Sequence, residues 1–367
     1  MGGGAMIAQC WLHIGTEKTG TTSIQDFLAH NRKALVRSGV LYPAAPGRSN
    51  HVGLACFALD DDRDESIRRS LDIHGPVAAA HYRSRLTAEI KNEVDSSSAS
   101  SIVFSNEHLS ARLQTASEIQ RIKDLCDRFA ANTKIIVYLR SQVDFLVSRY
   151  IEAVKGGSTK PFSFTPLSAL AEHIKYDRML APWRDIFGFD NMIVVRFQPQ
   201  DFEGGDLLLD FASRCGVNGA SLDRIPRRNM ALDGPCVEFL RQLNSYVPHI
   251  ADGRRNPLRG RIVQDLECLR FDRPFAIPRA IASAIEDHYQ ASNKALSREY
   301  FGSRYEPLFG PSDKADEALP VGAPAITAAD GVRIAGHLWQ SQQTRLNAYA
   351  TRTGSSSNSS TSTEHDP

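Results

Sequence analysis

Residues 11–23 read Trp11-Leu12-His13-Ile14-Gly15-Thr16-Glu17-Lys18-Thr19-Gly20-Thr21-Thr22-Ser23. The apolar start predicts a short buried strand, and the two glycines bound a loop that leads into a helix beginning near Thr21. Such a loop turns its backbone N–H groups inward, and the helix behind it adds the positive end of its dipole. The stretch therefore predicts a site for a phosphate or sulfate group.

The lysine of this loop stands in an unusual place. The spacing Gly15-x-x-x-x-Gly20 matches a nucleotide-binding P-loop, which continues with lysine and then serine or threonine directly after its second glycine. Here Thr21 and Thr22 follow Gly20, and Lys18 lies inside the loop. We therefore expect the Lys18 ammonium to reach a transferred group from the loop itself.

A second segment supplies an arginine and a hydroxyl. Residues 133–139 are mostly β-forming and predict a strand covered on both faces. Arg140 follows directly, and Ser148 lies eight residues later in a predicted helix, a little over two turns further on. An arginine at the end of a strand, with a serine hydroxyl beside it, can bind a phosphate from two sides.

A third segment supplies candidate bases. Residues 101–105 predict a strand, and Glu107 and His108 follow it. Ligands of open α/β sheets bind beyond the carboxyl ends of the strands, so Gly15, Glu107 and Arg140 are expected to converge. Because neighbouring side chains of an extended segment point to opposite sides, at most one of Glu107 and His108 is expected to face the transferred group.

Together these segments resemble the sulfotransferases that use 3′-phosphoadenosine 5′-phosphosulfate (PAPS). In that family a loop of this kind binds the 5′-phosphosulfate, and an Arg-x7-Ser pair holds the 3′-phosphate. The resemblance implies that the donor is bound by Gly15, Thr16, Glu17, Lys18, Thr19, Gly20, Thr21, Thr22, Arg140 and Ser148. The family often has proline two residues after the arginine and a basic residue further on, where this chain has Gln142 and Phe145.

The resemblance also assigns catalytic roles. Lys18 suits the stabilisation of the departing phosphate. For the base, cytosolic members place a His-Leu pair after the corresponding strand, which favours His108. Carbohydrate and bacterial relatives more often present Ser-x-Glu there, which favours Glu107. We take Glu107 as the predicted base and keep His108 as the alternative.

Two further assignments are expected from the resemblance. His51 follows Asn50 in a pair similar to an Asn-His of the bacterial relatives. It either lines the acceptor cleft or is an N-terminal helix residue without a chemical role. Arg227 and Arg228 are either the counterpart of a basic loop that closes over the 3′-phosphate in cytosolic members or a solvated charge pair.

The implied function is transfer of a sulfuryl group from PAPS to an acceptor hydroxyl, on a carbohydrate or glycolipid, with release of adenosine 3′,5′-bisphosphate and without a metal. A nucleotide kinase or NTPase is the alternative enzyme. It needs lysine where Thr21 stands and a Mg²⁺-binding aspartate at a strand end. A non-catalytic nucleotide-binding module is the third interpretation.

Composition narrows the class of protein. The chain has 367 residues, of which 42% are hydrophobic, and a formal net charge of +1. This charge gives no reason to expect nucleic acid or an anionic membrane as a partner. The six cysteines are scattered, as in reduced cytoplasmic proteins, and no signal peptide or transmembrane segment is predicted. We therefore expect a cytoplasmic, bacterial enzyme with small-molecule partners.

Strands and helices alternate, which predicts an α/β fold with a P-loop-like, mainly parallel sheet flanked by helices and a helical C-terminal region. Strands are predicted at 8–14, 101–105, 133–139 and 191–197, with a possible short one at 39–42. Helices are predicted near 21–37, 77–95, 115–131, 141–155, 175–187 and 205–215. The expected organisation is an α/β donor-binding core (1–230), a helical part of the same domain (231–309), a linker and C-terminal helix (310–350) and a disordered tail (351–367).

Overall fold

The computed structural model describes residues 6–163, 172–225, 232–251, 253–319 and 326–355. Contacts between residues divide the chain into two compact units. The first unit consists of Met1–Phe145, Phe164–Arg228 and Ser283–Ser312. The second consists of Leu146–Ser163, Asn229–Ala282 and Asp313–Pro367. The domain boundaries expected from the sequence stay a prediction.

The first unit is built on a five-stranded parallel sheet. Its strands are β1 (Ile7–His13), β2 (Val40–Leu41), β3 (Ser101–Ser105), β4 (Ala130–Leu139) and β5 (Met192–Arg196). Their spatial order is β2-β3-β1-β4-β5, so β1 lies in the centre, with Gln9 opposite Ser101 of β3 and Asn132 of β4. The predicted α/β class with a mainly parallel sheet is confirmed.

Fourteen α-helices are described in these ranges. They are α1 (Thr21–His30), α2 (Arg32–Arg37), α3 (Val52–Ala58), α4 (Ser66–Arg69), α5 (Gly75–Asp95), α6 (His108–Arg112), α7 (Ala116–Asp127), α8 (Gln142–Lys155), α9 (Tyr176–Phe187), α10 (Leu207–Arg214), α11 (Gly234–Leu243), α12 (Pro257–Cys268), α13 (Arg279–Phe301) and α14 (Ala328–Ser355). On one side of the sheet, Ile24 and Phe27 of α1 and Phe211 of α10 share a buried core with Val103 and Ile136. This core holds the start of α1 against the carboxyl end of β1.

The helix expected over 21–37 is two helices in the structure, which corrects that prediction. The break occurs at Asn31, whose Nδ2 donates hydrogen bonds to Phe27 O (2.9 Å) and Asp223 O (3.0 Å). Its Oδ1 also accepts a hydrogen bond from Asp223 N (2.9 Å). The Asn31 side chain thus bonds backbone groups at the end of α1 and in a distant segment, which is how asparagine competes with a continuing helix.

The second unit is mostly helical, as expected for the C-terminal region. It also contains two short strand pairs, the antiparallel β6 (Ile250–Ala251) and β7 (Arg254–Arg255) and the parallel β8 (Ile277–Pro278) and β9 (Ala315–Asp316). Helix α14 ends at Ser355, five residues inside the segment expected to be a disordered tail. The rest of that segment lies outside the described residues. None of the described helices combines the length and apolar character that a membrane span requires.

Candidate active site

The loop after β1 has the backbone shape of an anion-binding loop. Gly15, Lys18 and Gly20 all have left-handed dihedrals, with φ of 59°, 67° and 73°. Helix α1 begins directly afterwards, at Thr21. Successive turns of this kind make a concave row of N–H groups, and the first turn of a helix offers further N–H donors to an anion. Lys18 contributes its positive charge to the same loop.

The two glycines bring other elements close to the loop. A Cβ atom on Gly15 would lie 2.9 Å from Glu107 Cα, and one on Gly20 would collide with the side chain of Leu207. Both positions also have positive φ, which disfavours side chains. The close approach at Gly15 therefore brings Glu107 against the predicted donor loop, as expected for segments that follow the carboxyl ends of parallel strands.

The buried threonines of the loop use their hydroxyls inside the protein. Thr16 Oγ1 donates to Tyr138 O (2.7 Å), and Thr19 Oγ1 donates to Thr16 O (2.7 Å). Thr21 Oγ1 lies 3.4 Å from Thr16 O. These bonds brace the loop against β4, so the backbone N–H groups are the groups through which Thr16 and Thr19 can bind an anion. Thr22 is exposed, and Glu17 is half-buried.

Arg140 lies next to this loop, as predicted. Its Nη1 donates to Lys18 O (2.9 Å), and its guanidinium lies 5.7 Å from the centre of the Phe197 ring. Its Nε is 3.9 Å from a carboxylate oxygen of Asp144. Tyr176 Oη donates to Arg140 O (2.8 Å), which holds the backbone at the end of β4. The parallel strands β1 and β4 thus bring Lys18 and Arg140 together.

The structure does not place three other predicted donor-binding residues beside this loop. Ser148 belongs to the second unit, whereas Arg140 belongs to the first, so their joint contact with a phosphate stays a prediction from the sequence. Arg227 and Arg228 lie outside the described residues.

Glu107 is half-buried at the start of α6, directly after β3. Its carboxylate accepts hydrogen bonds from Gln25 Nε2 at Oε2 (2.9 Å) and from Asn50 Nδ2, which lies 3.1 Å from Oε1 and 3.3 Å from Oε2. The backbone at Glu107 is helical (φ −72°, ψ −20°) rather than extended. The expectation that Glu107 and His108 point to opposite sides of an extended segment therefore rested on the wrong local structure.

His108 has a polar neighbour of its own. Arg112 Nε donates to His108 Nδ1 (3.4 Å), which requires that Nδ1 carries no proton. The neutral ring therefore has its proton on Nε2. Burial lowers the pKa of His108, and the Arg112 charge adds to this effect, while the neighbouring Glu107 acts in the opposite direction.

His51 is fully buried, and both of its ring nitrogens are used. Nε2 donates to Pro43 O (2.8 Å), and Nδ1 accepts a hydrogen bond from Ser105 N (3.3 Å). Burial lowers its pKa to about 3. The ring stacks on Tyr42 at a centroid distance of 4.2 Å, and the residue precedes the first turn of α3. This environment favours the interpretation of His51 as a residue without a chemical role.

Sequence reasoning missed a histidine directly below the loop. His13 ends β1 and is fully buried between the rings of Tyr138 and Phe211, at centroid distances of 5.9 and 5.2 Å. Its Nδ1 is 2.8 Å from Ser105 Oγ, and Nε2 has no hydrogen-bond partner in the described part of the chain. Burial lowers the pKa of His13 to about 3, so the ring is neutral at physiological pH.

The sequence also gave no role to Gln25 or Asn50, although both contact Glu107. Gln25 lies in a helix and Asn50 in a loop far along the chain, so their spacing matches no known motif. The one hint in the sequence was that Asn50 comes directly before the candidate residue His51. Among the described residues, no three His, Cys, Asp or Glu side chains are grouped so that they could hold a metal ion.

Comparison with known proteins adds little beyond this geometry. No family model matches the chain, and a search of curated proteins finds no significant match. Among solved structures, the crystal structure of a sulfotransferase from Alicyclobacillus acidocaldarius is similar, with 16% identity and a TM-score of 0.39. The alignment covers 64% of this chain and 93% of that one.

Proposed function

We propose that this chain is a sulfotransferase that transfers a sulfuryl group from PAPS to an acceptor hydroxyl on a carbohydrate or glycolipid. The observation that carries the proposal is the loop between β1 and α1, with Lys18 inside it and Glu107 and Arg140 against it. A loop for an anion, two cations and a carboxylate are the groups that sulfuryl transfer to a hydroxyl needs.

The loop has the properties that a phosphosulfate requires. Its three left-handed residues and the start of α1 offer N–H donors, and its glycines leave no side chain in the way. We assign the backbone of residues 15–22 to the 5′-phosphosulfate and Arg140 to the 3′-phosphate. Thr21, which stands where a P-loop has its lysine, bonds Thr16 O instead. This detail favours a sulfate donor over a nucleoside triphosphate.

The residues around the loop have separate tasks in the reaction. PAPS supplies an electrophilic sulfur whose bond to the bridging oxygen breaks, so that adenosine 3′,5′-bisphosphate leaves. Lys18 stabilises the negative charge that develops on that oxygen. Glu107 takes the proton of the acceptor hydroxyl as its oxygen bonds to sulfur.

Between the two candidate bases, hydrogen bonding supports Glu107. Two amide N–H groups donate to its carboxylate and so fix the orientation of the oxygens that are to accept a proton. His108 offers only Nδ1 as a basic atom in its neutral form, and Arg112 Nε already donates to that atom. We therefore give His108 the role of a hydrogen-bond donor through Nε2.

We also propose a cytoplasmic location, because all six cysteines are free thiols, as is usual in a reducing compartment.

The direct test uses the whole chain with ³⁵S-labelled PAPS and a panel of glycans and lipid-linked sugars. We expect label to appear in at least one acceptor and adenosine 3′,5′-bisphosphate to accumulate. Calorimetry should show micromolar affinity for the bisphosphate. Tighter binding of ATP than of the bisphosphate would favour a kinase or NTPase, and bisphosphate binding without any transfer would favour a non-catalytic module.

A further inference from the structure

Both amides that contact Glu107 have their orientations set by other residues. Asn106 Nδ2 donates to Asn50 Oδ1, so the amide oxygen of Asn50 is occupied and its NH₂ group faces Glu107. Gln25 Nε2 lies near two acceptors, Glu107 Oε2 (2.9 Å) and Ser105 O (3.4 Å), and neither can donate to it. Hydrogen bonds to residues other than Glu107 therefore help to turn both NH₂ groups towards its carboxylate.

The segment that carries Asn50 is tied to α1 and α2. Ser49 Oγ donates to Asp26 Oδ1 (2.9 Å), and Tyr42 Oη donates to Ser49 O (2.5 Å). Arg32 Nε donates to Tyr42 O (2.9 Å). These bonds hold the chain directly before Asn50, so its amide does not depend on a free loop for its position.

The donors are shared unequally between the two oxygens of Glu107. Oε2 lies within hydrogen-bond distance of both Gln25 and Asn50, whereas Oε1 has a hydrogen bond, among the described residues, from Asn50 alone. A carboxylate oxygen can accept about two hydrogen bonds, so Oε2 is saturated and Oε1 has room for one more.

We propose that Gln25 and Asn50 are positioning residues that hold the Glu107 carboxylate so that Oε1 takes the proton of the acceptor. This inference rests on the proposed function, because it assumes that Glu107 is the base. The amides touch neither donor nor acceptor in this role and act through Glu107. Tyr42 and His108 are two titratable groups that interact electrostatically with Glu107.

Two variants remove the hydrogen bonds from the amides to Glu107 and test whether these bonds, rather than the general stability of the fold, position the carboxylate. Asn50→Asp keeps an oxygen for Asn106 to donate to, but it replaces the NH₂ group with a second carboxylate oxygen beside Glu107. Gln25→Met keeps the length of the side chain and removes the donor, while Ser105 O keeps its bond from His51 N (3.2 Å). Gln120→Met is the matched control, because it removes a glutamine amide on α7 that donates to a different carboxylate, Asp124 Oδ1 (2.8 Å).

The first readout is the ¹³C NMR signal of the Glu107 carboxyl carbon in the full chain without ligands. The Glu107→Gln spectrum identifies the signal. The chemical shift of this signal should change in Gln25→Met and in Asn50→Asp, because each variant removes a hydrogen-bond donor to the carboxylate. It should stay in place in Gln120→Met.

The second readout is catalytic. Both variants should lose turnover by about tenfold or more while their affinity for adenosine 3′,5′-bisphosphate stays the same. An unmoved Glu107 signal in folded Gln25→Met, or an equal change in Gln120→Met, would overturn the inference. If Asn50→Asp does not fold, Gln25→Met decides alone. Absence of bisphosphate binding in the unaltered chain would instead overturn the proposed function, and the NMR signals would still decide on the amides.

Discussion

Lys18 adopts a left-handed backbone (φ 67°), although it has a side chain. Such a conformation costs a non-glycine residue roughly 1–2 kcal/mol, and it persists where the surroundings enforce it. Here Arg140 Nη1 bonds the Lys18 carbonyl. The two cations are therefore coupled through the backbone, since the position of one depends on the side chain of the other.

Replacing Lys18 with alanine should lower turnover much more than donor affinity. The ammonium is needed most when the bridging oxygen departs, so its loss acts mainly on the transition state. Steady-state kinetics together with calorimetry of adenosine 3′,5′-bisphosphate would measure both effects. Lys33→Ala, an exposed lysine on α2, is the control and should change neither. Equal losses in turnover and affinity would reduce Lys18 to a binding residue.

Arg140→Ala should weaken binding of adenosine 3′,5′-bisphosphate by at least tenfold. A charge-assisted hydrogen bond contributes roughly 1.5–3 kcal/mol, and the loop also loses the bond to Lys18 O. Titration calorimetry is the measurement, with the exposed Arg178→Ala as the control of equal charge change. An affinity that stays within a factor of two would remove Arg140 from the donor site.

The residue scale also shows what the sequence could predict. Lys18, Arg140 and Glu107 all follow the carboxyl ends of strands of one parallel sheet. Segments of this kind are expected to meet at one edge of the sheet, so the sequence was enough to predict that they converge. Gln25 and Asn50 could not be found in this way. Their role depends on a side-chain network that starts at Asn106 and on a loop held by Ser49, and neither leaves a periodic pattern in the sequence.

At the scale of elements, the glycines of the loop before α1 are more crowded than some other glycines of the chain with a similar positive φ. Gly15 (φ 59°) faces the backbone of Glu107, whereas Gly75 (φ 72°), at the start of α5, has open space where a Cβ would be. Alanine variants at Gly15 and Gly75 therefore separate the cost of a positive φ from the cost of a clash with a neighbouring backbone.

Gly75→Ala should therefore lower the free energy of unfolding by about 1 kcal/mol, the cost of a left-handed alanine. Gly15→Ala should cost clearly more, because its Cβ would lie 2.9 Å from Glu107 Cα, and it should also abolish bisphosphate binding. Urea unfolding and calorimetry of the same preparations would test this. Similar unfolding energies for the two variants would show that the loop moves away from Glu107 at little cost.

Element boundaries were predicted well where apolar runs are long and poorly where single polar side chains decide. The strand at 101–105 was predicted with its observed ends, because its apolar core is bounded by polar residues. The division of the first long helix depends on one asparagine and on Asp223, almost two hundred residues later. The short α6 was missed because five residues carry no helical period.

On the scale of the whole molecule, the first unit encloses two neutral histidines. Burial lowers the pKa of both His13 and His51 to about 3, well below the 6.5 of an exposed imidazole. Unfolding below pH 6.5 therefore takes up protons that the folded chain excludes. The stabilisation that this provides is complete above pH 6.5 and is lost as the pH falls towards 3.

The free energy of unfolding should accordingly fall by about 1.4 kcal/mol per pH unit for each histidine between pH 6 and pH 4. The amide of a glutamine can replace both hydrogen bonds of the His51 ring. His51→Gln should therefore reduce this slope by about half, because one of the two titrating histidines is removed. Urea titrations at several pH values would measure it. An unchanged slope in the variant would mean that His51 is not kept neutral by the fold.

The central position of β1 has a consequence for synthesis on the ribosome. β1 is made first, yet its partners come much later: Ser101 pairs with Gln9 and Ala130 pairs with Ile7. At about 5–20 residues per second, roughly 5–25 s pass between the synthesis of β1 and that of its partner strands. During that interval an apolar segment that will become the middle of the sheet has no neighbouring strand, so residues 7–14 are open to the wrong contacts that unpaired strands can make.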